Sequence, residues 1–412
     1  MTFDVAVVGA GLAGTLCASM LGEAGYRVAL IDPHETYPRD FRCEKLEADH
    51  LRVLRKTGAA NALLAIATPM DTLWVARFGH LLDIQPFEQC GFRYEDMVNA
   101  FRRSTARQVT WVRDKVTDIL QEEAGRRLVL REGSSLAARL VILASGLNRT
   151  LSRSLGIARK THPRHSICIG FDMQAKETAD FAFRALQYNP ELASKSVGYL
   201  SLFNIGQAMR ANLFVYHDLH SAVIDGFRTD PVKALKALLP RLTPLIGDFT
   251  IDASVRIRPT DLESPCYRAL PGIVMVGDAC FVPCPATGKG AHKAMMDAER
   301  LCHEYVPRWL AAGGDVSATS IAQFYADEFK VAADTEAYQL AFELRERALG
   351  NGLRWEADRW GRFFQRWCRG RVRRLMRGNT SPTFLREHPP ASVLKNKLLG
   401  LGHSQTRVRE RH

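Results

Sequence analysis

Apolar and polar positions divide this chain into three textures. Residues 3–8 form a valine-rich run of strand length, residues 12–24 repeat apolar side chains at helical spacing, and residues 27–31 are again a short apolar run. The same pattern predicts further strands at 72–78, 81–84, 109–113, 127–130, 140–144 and 273–276, with a helix at 94–105. From about 165 to 255 the texture changes to long alternating runs, SICIGFDMQA, VGYLSLFNI and QAMRANLFVY, which predict a mainly antiparallel sheet. From Glu328 the period becomes helical. There Trp360, Phe364, Trp367, Arg371 and Leu375 recur every three or four residues, an aromatic stripe set against an arginine face. Beyond Gly378 the chain is polar and interrupted by Pro and Gly, and is expected to be poorly ordered.

The first strand and helix are joined by glycines at an informative spacing. Gly9, Gly11 and Gly14 follow G-x-G-x-x-G: Gly9 makes the tight turn, Gly11 lets backbone approach a pyrophosphate, and Gly14 lets the helix pack close on the strand. Leu12 and Ala13 open that helix, where free N–H groups and the positive end of the macrodipole favour an anion. Asp32 ends the second strand 23 residues after Gly9, placed to accept hydrogen bonds from ribose hydroxyls. The unit predicts the adenosine diphosphate half of a dinucleotide.

Composition narrows the class. With 46% apolar and 24% charged residues the chain reads as soluble and globular, and no run of 18 uncharged apolar residues predicts a membrane span. Nothing at the start resembles a signal peptide, so a cytoplasmic location is expected. Nine scattered cysteines read as reduced thiols, and the C-x-x-x-C pair Cys280 and Cys284 has no second pair to complete a metal set, so no metal is expected. Most of the net charge of +12 sits in residues 331–412, which hold 17 Lys and Arg against 8 Asp and Glu. That basic, aromatic tail suits either a helix docked on the cofactor domain or one resting peripherally on the inner leaflet of the membrane. A nucleic-acid partner is not expected, and no P-loop, G-x-S-x-G elbow or H-E-x-x-H helix occurs.

Residues 272–300, GIVMVGDACFVPCPATGKGAHKAMMDAER, carry a second signature. Together with the glycine turn it resembles the FAD-binding framework of para-hydroxybenzoate hydroxylase-type flavoprotein monooxygenases, a superfamily that also holds halogenases and geranylgeranyl reductases. The resemblance implies that Gly277 and Asp278 bring a carboxylate to the ribityl chain of FAD and that Pro285 packs beside the isoalloxazine ring. It also implies that Gly288, Lys289 and Gly290 start a helix aimed at the pyrimidine edge. A helix N-terminus there would stabilise the negative charge of reduced flavin by roughly 0.3–1 kcal/mol. By the same resemblance Arg42, just before a helical pattern (Leu46, Leu51, Leu54), approaches the FAD phosphates, Gly146 adds a cofactor contact, and Arg93 is a weaker match for a second arginine.

The chain departs from the family at named positions. In LVILASG, Ser145 stands where many hydroxylases carry Asp, so nicotinamide docking does not carry over; Phe281 replaces a histidine beside the flavin loop. The halogenase tryptophan segment is missing, and Trp74 and Trp111 are expected to pack in sheets. The expected fold is α/β: a Rossmann-like FAD-binding domain of the glutathione reductase type from residues 1–164 and 256–330, with part of a substrate sheet near 68–93. An antiparallel substrate domain at 165–255 is inserted, with Tyr199, Phe203, Phe214 and Tyr216 as pocket walls, and a helical basic region spans 331–412. The implied activity is monooxygenation: reduced FAD combines with O2 at C4a and passes one oxygen to an aromatic or lipophilic small molecule. A reductase or dehydrogenase of an isoprenoid-like substrate, and a non-catalytic flavin-binding protein, are the alternatives. Electrons would come from NADH or NADPH docking transiently, or from a partner reductase supplying reduced flavin.

Overall fold

The valine-rich N-terminal run is apolar on both faces, and such a strand is stable only between parallel neighbours. Thr2–Val8 accordingly lies between Val28–Ile31 and Ser135–Leu143, with Val5 opposite Val28 and Val7 opposite Ile142, in the computed structural model, which describes residues 2–123, 125–189, 195–252 and 254–376. Thr110–Val112 extends the sheet past Val28–Ile31, and Ile273–Met275 pairs parallel with the end of Ser135–Leu143. The antiparallel strands Val116–Glu122 and Gly125–Leu130 complete it. Thr2–Val8 and Ile273–Met275 flank the same strand in the same sense, so the turns that leave them, at Gly9 and Gly277, open on one edge of the sheet. Open α/β sheets bind ligands at that edge.

The second sheet has nine strands. Phe249–Ile251, Thr161–Ala175, Ala208–Val215, Val197–Ile205, Ala185–Asn189, Thr68–Arg77, His80–Gly91 and Lys45–Glu47 follow one another, and Arg256–Glu263 pairs with Thr161–Ala175. Residues 256–263 therefore belong to this sheet and not, as expected, to the cofactor unit. Strand 80–91 runs well past the expected 84 because Pro86 pairs with Thr72 at a register shift, where a missing N–H is tolerated. Lys45–Glu47 takes Leu46 out of the expected helix, which begins at Ala48.

Alternation gives the sheet two different faces. Leu200, Leu202, Leu213 and Phe171 point to one side, where Ile224, Phe227 and Leu235 of the helices Ala222–Thr229 and Pro231–Leu238 cover them. The opposite face looks back at the first sheet.

Two long helices end the described chain. Glu328–Leu349 packs against Gly290–Arg300 and the loop before it. Leu353–Met376 lays Trp360, Phe363 and Phe364 on Phe78 and Leu82 of the 68–91 hairpin, and its Arg373 reaches the buried Asp83 at 2.7 Å. The aromatic stripe is thus covered by the second sheet. Its aromatic residues do not dock on the first sheet, which corrects one expectation for the tail. The segment after Gly378 lies outside the described residues. No helix among them is long and apolar enough to cross a membrane.

Candidate functional site

A cavity of about 930 Å³ joins the turn edge of the first sheet to the inner face of the second. At its first-sheet end, Gly9 makes the turn and Gly14 the close helix packing that their spacing predicts. Gly9 has φ +100°, and a Cβ there would meet Ala144 O at 2.6 Å; a Cβ on Gly14 would run into Gly9 O. At Gly11 the nearest atom to a Cβ is in the Tyr37 ring, 3.9 Å away, so backbone faces the cavity. Leu12–Glu23 begins there without a side-chain cap and without an acid in its first turn. Gly290–Arg300, entered from the left-handed Gly288, also starts uncapped, and Gly288, Lys289 and Gly290 line the same cavity. Uncapped N-termini leave N–H donors for an anion or an electron-rich edge.

Asp32 lines the cavity and accepts from Ala10 N at 2.8 Å and His34 N at 2.9 Å. Arg102 ties this corner together. Its buried guanidinium donates to Ala10 O and His34 O and stands 3.4 Å from Asp32. Sequence reasoning missed it, although Tyr94, Met97, Val98 and Phe101 define the apolar face of helix Tyr94–Arg103 and position 102 falls on that face.

Arg42 and Asp278 meet directly, at 2.6 Å, and Arg42 Nε donates to Asp40 at 2.5 Å. Burial pulls the Arg42 guanidinium down, but Asp278, Tyr94 and Asp40 outweigh it and hold its pKa above the ordinary range. Burial would raise Asp40, yet Arg42 and Arg258 hold its carboxyl below the usual value. Both partners of the Arg42–Asp278 pair line the cavity, where a ligand with phosphates and hydroxyls would compete for them.

The Asp278 turn is held from behind. Gly277 N donates to the buried Asp297 at 2.8 Å, and Asp297 also takes Lys293 at 2.9 Å and Lys330 at 2.8 Å. Lys330 reaches Asp334 at 3.1 Å, so two cations and two anions form one buried cluster between helices 290–300 and 328–349. From the other side, Arg149 donates to Asp278 O and pairs with Glu263, while Arg159 donates to Ala279 O and Cys280 O. None of Glu263, Arg159, Asp297 or Lys330 stands near the turn in sequence.

Other expected residues fall where their surroundings dictate. Gly146, with φ +59°, Ser145 and Pro285 line the cavity, and Lys289 pairs with Glu336 at 2.8 Å. Arg93 is corrected: it pairs with Asp172 at 2.5 Å and approaches Glu44 at 3.7 Å, inside the second sheet. Phe281 is fully buried under helix 328–349, packed with Tyr338, and does not face the cavity. Tyr199, Phe203 and Phe214 line the cavity as expected; Tyr216 lies beyond their strand, beside His165. Trp111, 37% exposed, lies under Arg102 and is not a core residue. His50 and His292 stack edge to face at 5.0 Å on the cavity wall, and burial pushes His50 down to about 4.

Comparison with known proteins places the chain. The family described as "FAD binding domain" matches residues 2–211, and the chain belongs to it. It therefore belongs to a FAD-dependent oxidoreductase family, and its fold is one it shares with flavoprotein monooxygenases. Among curated relatives, digeranylgeranylglycerophospholipid reductase 1 of Methanopyrus kandleri is 26% identical over 72% of this chain and 78% of its own length. Among solved structures, p-nitrophenol 4-monooxygenase PnpA from Pseudomonas putida superposes with a TM-score of 0.70 at 17% identity, covering 88% of this chain and 93% of that one. A Klebsiella pneumoniae HpxO variant complexed with FAD gives 0.68 at 16% identity, covering 88% and 94%. The two uncapped helix starts, the acids at 32 and 278 and the open backbone at Gly11 are a donor set that fits FAD.

Proposed function

We propose that the chain is a FAD-dependent monooxygenase that hydroxylates an aromatic or lipophilic small molecule held beneath the second sheet. The observation that carries this is the continuity of one cavity from the glycine turn and Asp278 to the aromatic face formed by Tyr199, Phe203 and Phe214. In this proposal Gly9, Gly11, Leu12, Ala13 and Gly14 seat the pyrophosphate, and Asp32 the ribose. Arg42 exchanges Asp278 for a phosphate, which frees Asp278 for the ribityl hydroxyls. Gly146 borders the same groove, while Pro285, Gly288, Lys289 and Gly290 face the ring. When bound and reduced, FAD supplies the electrons that activate O2. The protein orients the substrate, keeps water out with the apolar roof, and offers the N–H groups of helix 290–300 to negative charge on the ring.

Ser145 donates to Asn148 O and offers no carboxylate to a nicotinamide. The proposal therefore has NADH or NADPH visit transiently or a partner reductase deliver reduced flavin, in the cytoplasm. A second chemistry, reduction of an isoprenoid-like substrate, is favoured by the similarity to the archaeal reductase. Mass spectrometry under 18O2 separates the two. Hydroxylation adds one labelled oxygen to the product, whereas reduction adds two hydrogens and no label, and the second outcome would overturn the monooxygenase proposal.

A further inference from the structure

The roof of the cavity carries a pattern that oxygen chemistry alone does not require. Strands Val197–Ile205 and Ala208–Val215 pair with Tyr199 opposite Phe214, Ser201 opposite Asn212, and Phe203 opposite Arg210. All of these except Arg210 line the cavity. The inner face therefore presents an aromatic rung, then a polar rung, then a further ring. Tyr199 and Phe214 sit with ring centroids 4.7 Å apart, and the Tyr199 hydroxyl is already committed to Ala286 O at 2.8 Å, so that rung offers apolar surface. Phe203, on the far side of the polar rung, lies 5.9 Å from the Lys45 ammonium.

Ser201 and Asn212 are each 8% exposed, and each keeps one polar atom without a protein hydrogen bond among the described residues. The Ser201 hydroxyl has no hydrogen-bond partner among the described residues. Oriented as its neighbouring acceptors require, the Asn212 amide nitrogen donates to Glu44 Oε2 at 3.3 Å and to Ala211 O at 3.0 Å, which turns its carbonyl oxygen away from those acceptors. The rung thus offers one hydroxyl and one amide oxygen. A purely hydrocarbon occupant would bury both without partners, which is unfavourable; an occupant with a hydroxyl would satisfy both, accepting from Ser201 and donating to the Asn212 oxygen, whereas a carbonyl would satisfy Ser201 alone.

Charge narrows the class further. Around this face each cation already has a carboxylate: Arg210 with Glu44 at 2.7 Å and Asp172 at 3.2 Å, Lys45 with Glu47 at 3.3 Å, and Arg258 with Asp40 at 3.0 Å. A substrate carboxylate would meet paired cations and the acids Glu44 and Glu47, both on the cavity wall. Resting on the FAD-enzyme function above, we propose that the substrate is a neutral, largely apolar molecule carrying a hydroxyl. It sits against the aromatic rungs with that group on Ser201 and Asn212, and these two residues set specificity.

The test uses the FAD-loaded full chain and two matched series, naphthalene, 1-naphthol and 1-naphthoate, and farnesene, farnesol and farnesoate, with binding followed by the flavin absorbance change. In at least one series the alcohol binds about tenfold more tightly than the hydrocarbon, and the carboxylate binds most weakly. Ser201→Ala combined with Asn212→Leu brings the alcohol down to the hydrocarbon's level and leaves hydrocarbon affinity and FAD content unchanged; Ser201→Ala alone does so in part, and Ser201→Thr retains the preference. Tightest binding by a carboxylate, an alcohol preference that survives the double substitution, or no alcohol preference in either series overturns the proposal. FAD content is measured first, so a wild-type chain that fails to hold FAD counts against the cofactor assignment and not against the polar rung.

Discussion

The two long C-terminal helices are similar in length and do different things. Leu353–Met376 is fixed by large aromatic side chains, Phe363 with Trp360 and Phe364, on the outer hairpin of the second sheet. Glu328–Leu349 fully buries Lys330, Asp334, Ala337, Ala341 and Ala348, all small or charged, with Tyr338 and Phe342 half-buried beside them. Besides the packing of Tyr338 and Phe342 on Phe281, His162 and His165, it is held by the cluster of Lys293, Asp297, Lys330 and Asp334, and through Asp297 that grip reaches the backbone N–H of Gly277 beside Asp278. The difference teaches that the helix with the weaker hydrophobic signal is the one built into the cofactor site. A conspicuous aromatic stripe marks an attachment; a buried charge cluster marks a junction where several elements must meet in one geometry.

That comparison breaks most directly at Lys330. Lys330→Met leaves Asp297 and Asp334 buried with half of their positive partners, and should destabilise the fold by about 3–5 kcal/mol in urea unfolding. It should also weaken FAD binding about tenfold, because the Gly277 turn loses its anchor. Phe363→Ala should cost about 3 kcal/mol through the lost packing on Phe78 and Leu82, and leave FAD affinity unchanged. Equal loss of FAD affinity in both variants would erase the distinction between the helices.

A smaller effect separates the regions by pH. Burial, reinforced by neighbouring positive groups, lowers His50 on the cavity wall and His165 beneath helix 328–349 to about 4 each. Both are neutral in the folded protein where the unfolded chain begins to protonate. Their contribution is therefore fully present above about pH 6.5 and is lost as pH falls toward 4, each by at most about 1.4 kcal/mol per pH unit. Urea midpoints across that window should fall for the wild type, and fall less for His165→Phe. An unchanged pH slope in that variant would remove His165 from the account.

What the sequence revealed and what it concealed follow one physical division. The glycine turn, Asp32, the Gly277-Asp278 turn and the Gly288–Gly290 helix start were legible because each depends on local backbone geometry that few residues permit; Gly9 at φ +100° is such a case. The alternating roof was legible from its period, and Tyr199, Phe203 and Phe214 face the cavity. Arg102, Arg149, Arg159, Glu263 and Asp297 were not, since their partners lie far away in the chain: Arg159 reaches Ala279 and Cys280, and Arg149 reaches Glu263. Arg93 misled for the same reason, because only tertiary structure sets Asp172 beside it. The strand expected at 81–84 runs from 80 to 91 through Pro86, whose compatibility with a strand depends on the neighbouring pairing and not on its own propensity.

The central claim is that the cavity edge at Gly11 receives the FAD pyrophosphate. Gly11 has φ −79° and ψ −164°, an extended conformation that valine adopts, and a Cβ there meets nothing closer than the Tyr37 ring at 3.9 Å. Gly11→Val should therefore fold, and its methyl groups should occupy the space a phosphate needs. The decisive measurement is FAD titration of Gly11→Val beside the wild type, with the apo proteins' thermal unfolding as the control. The account predicts equal apo unfolding temperatures, tight FAD binding by the wild type and loss of nearly all of it in the variant. A folded, yellow, fully loaded Gly11→Val protein would contradict it.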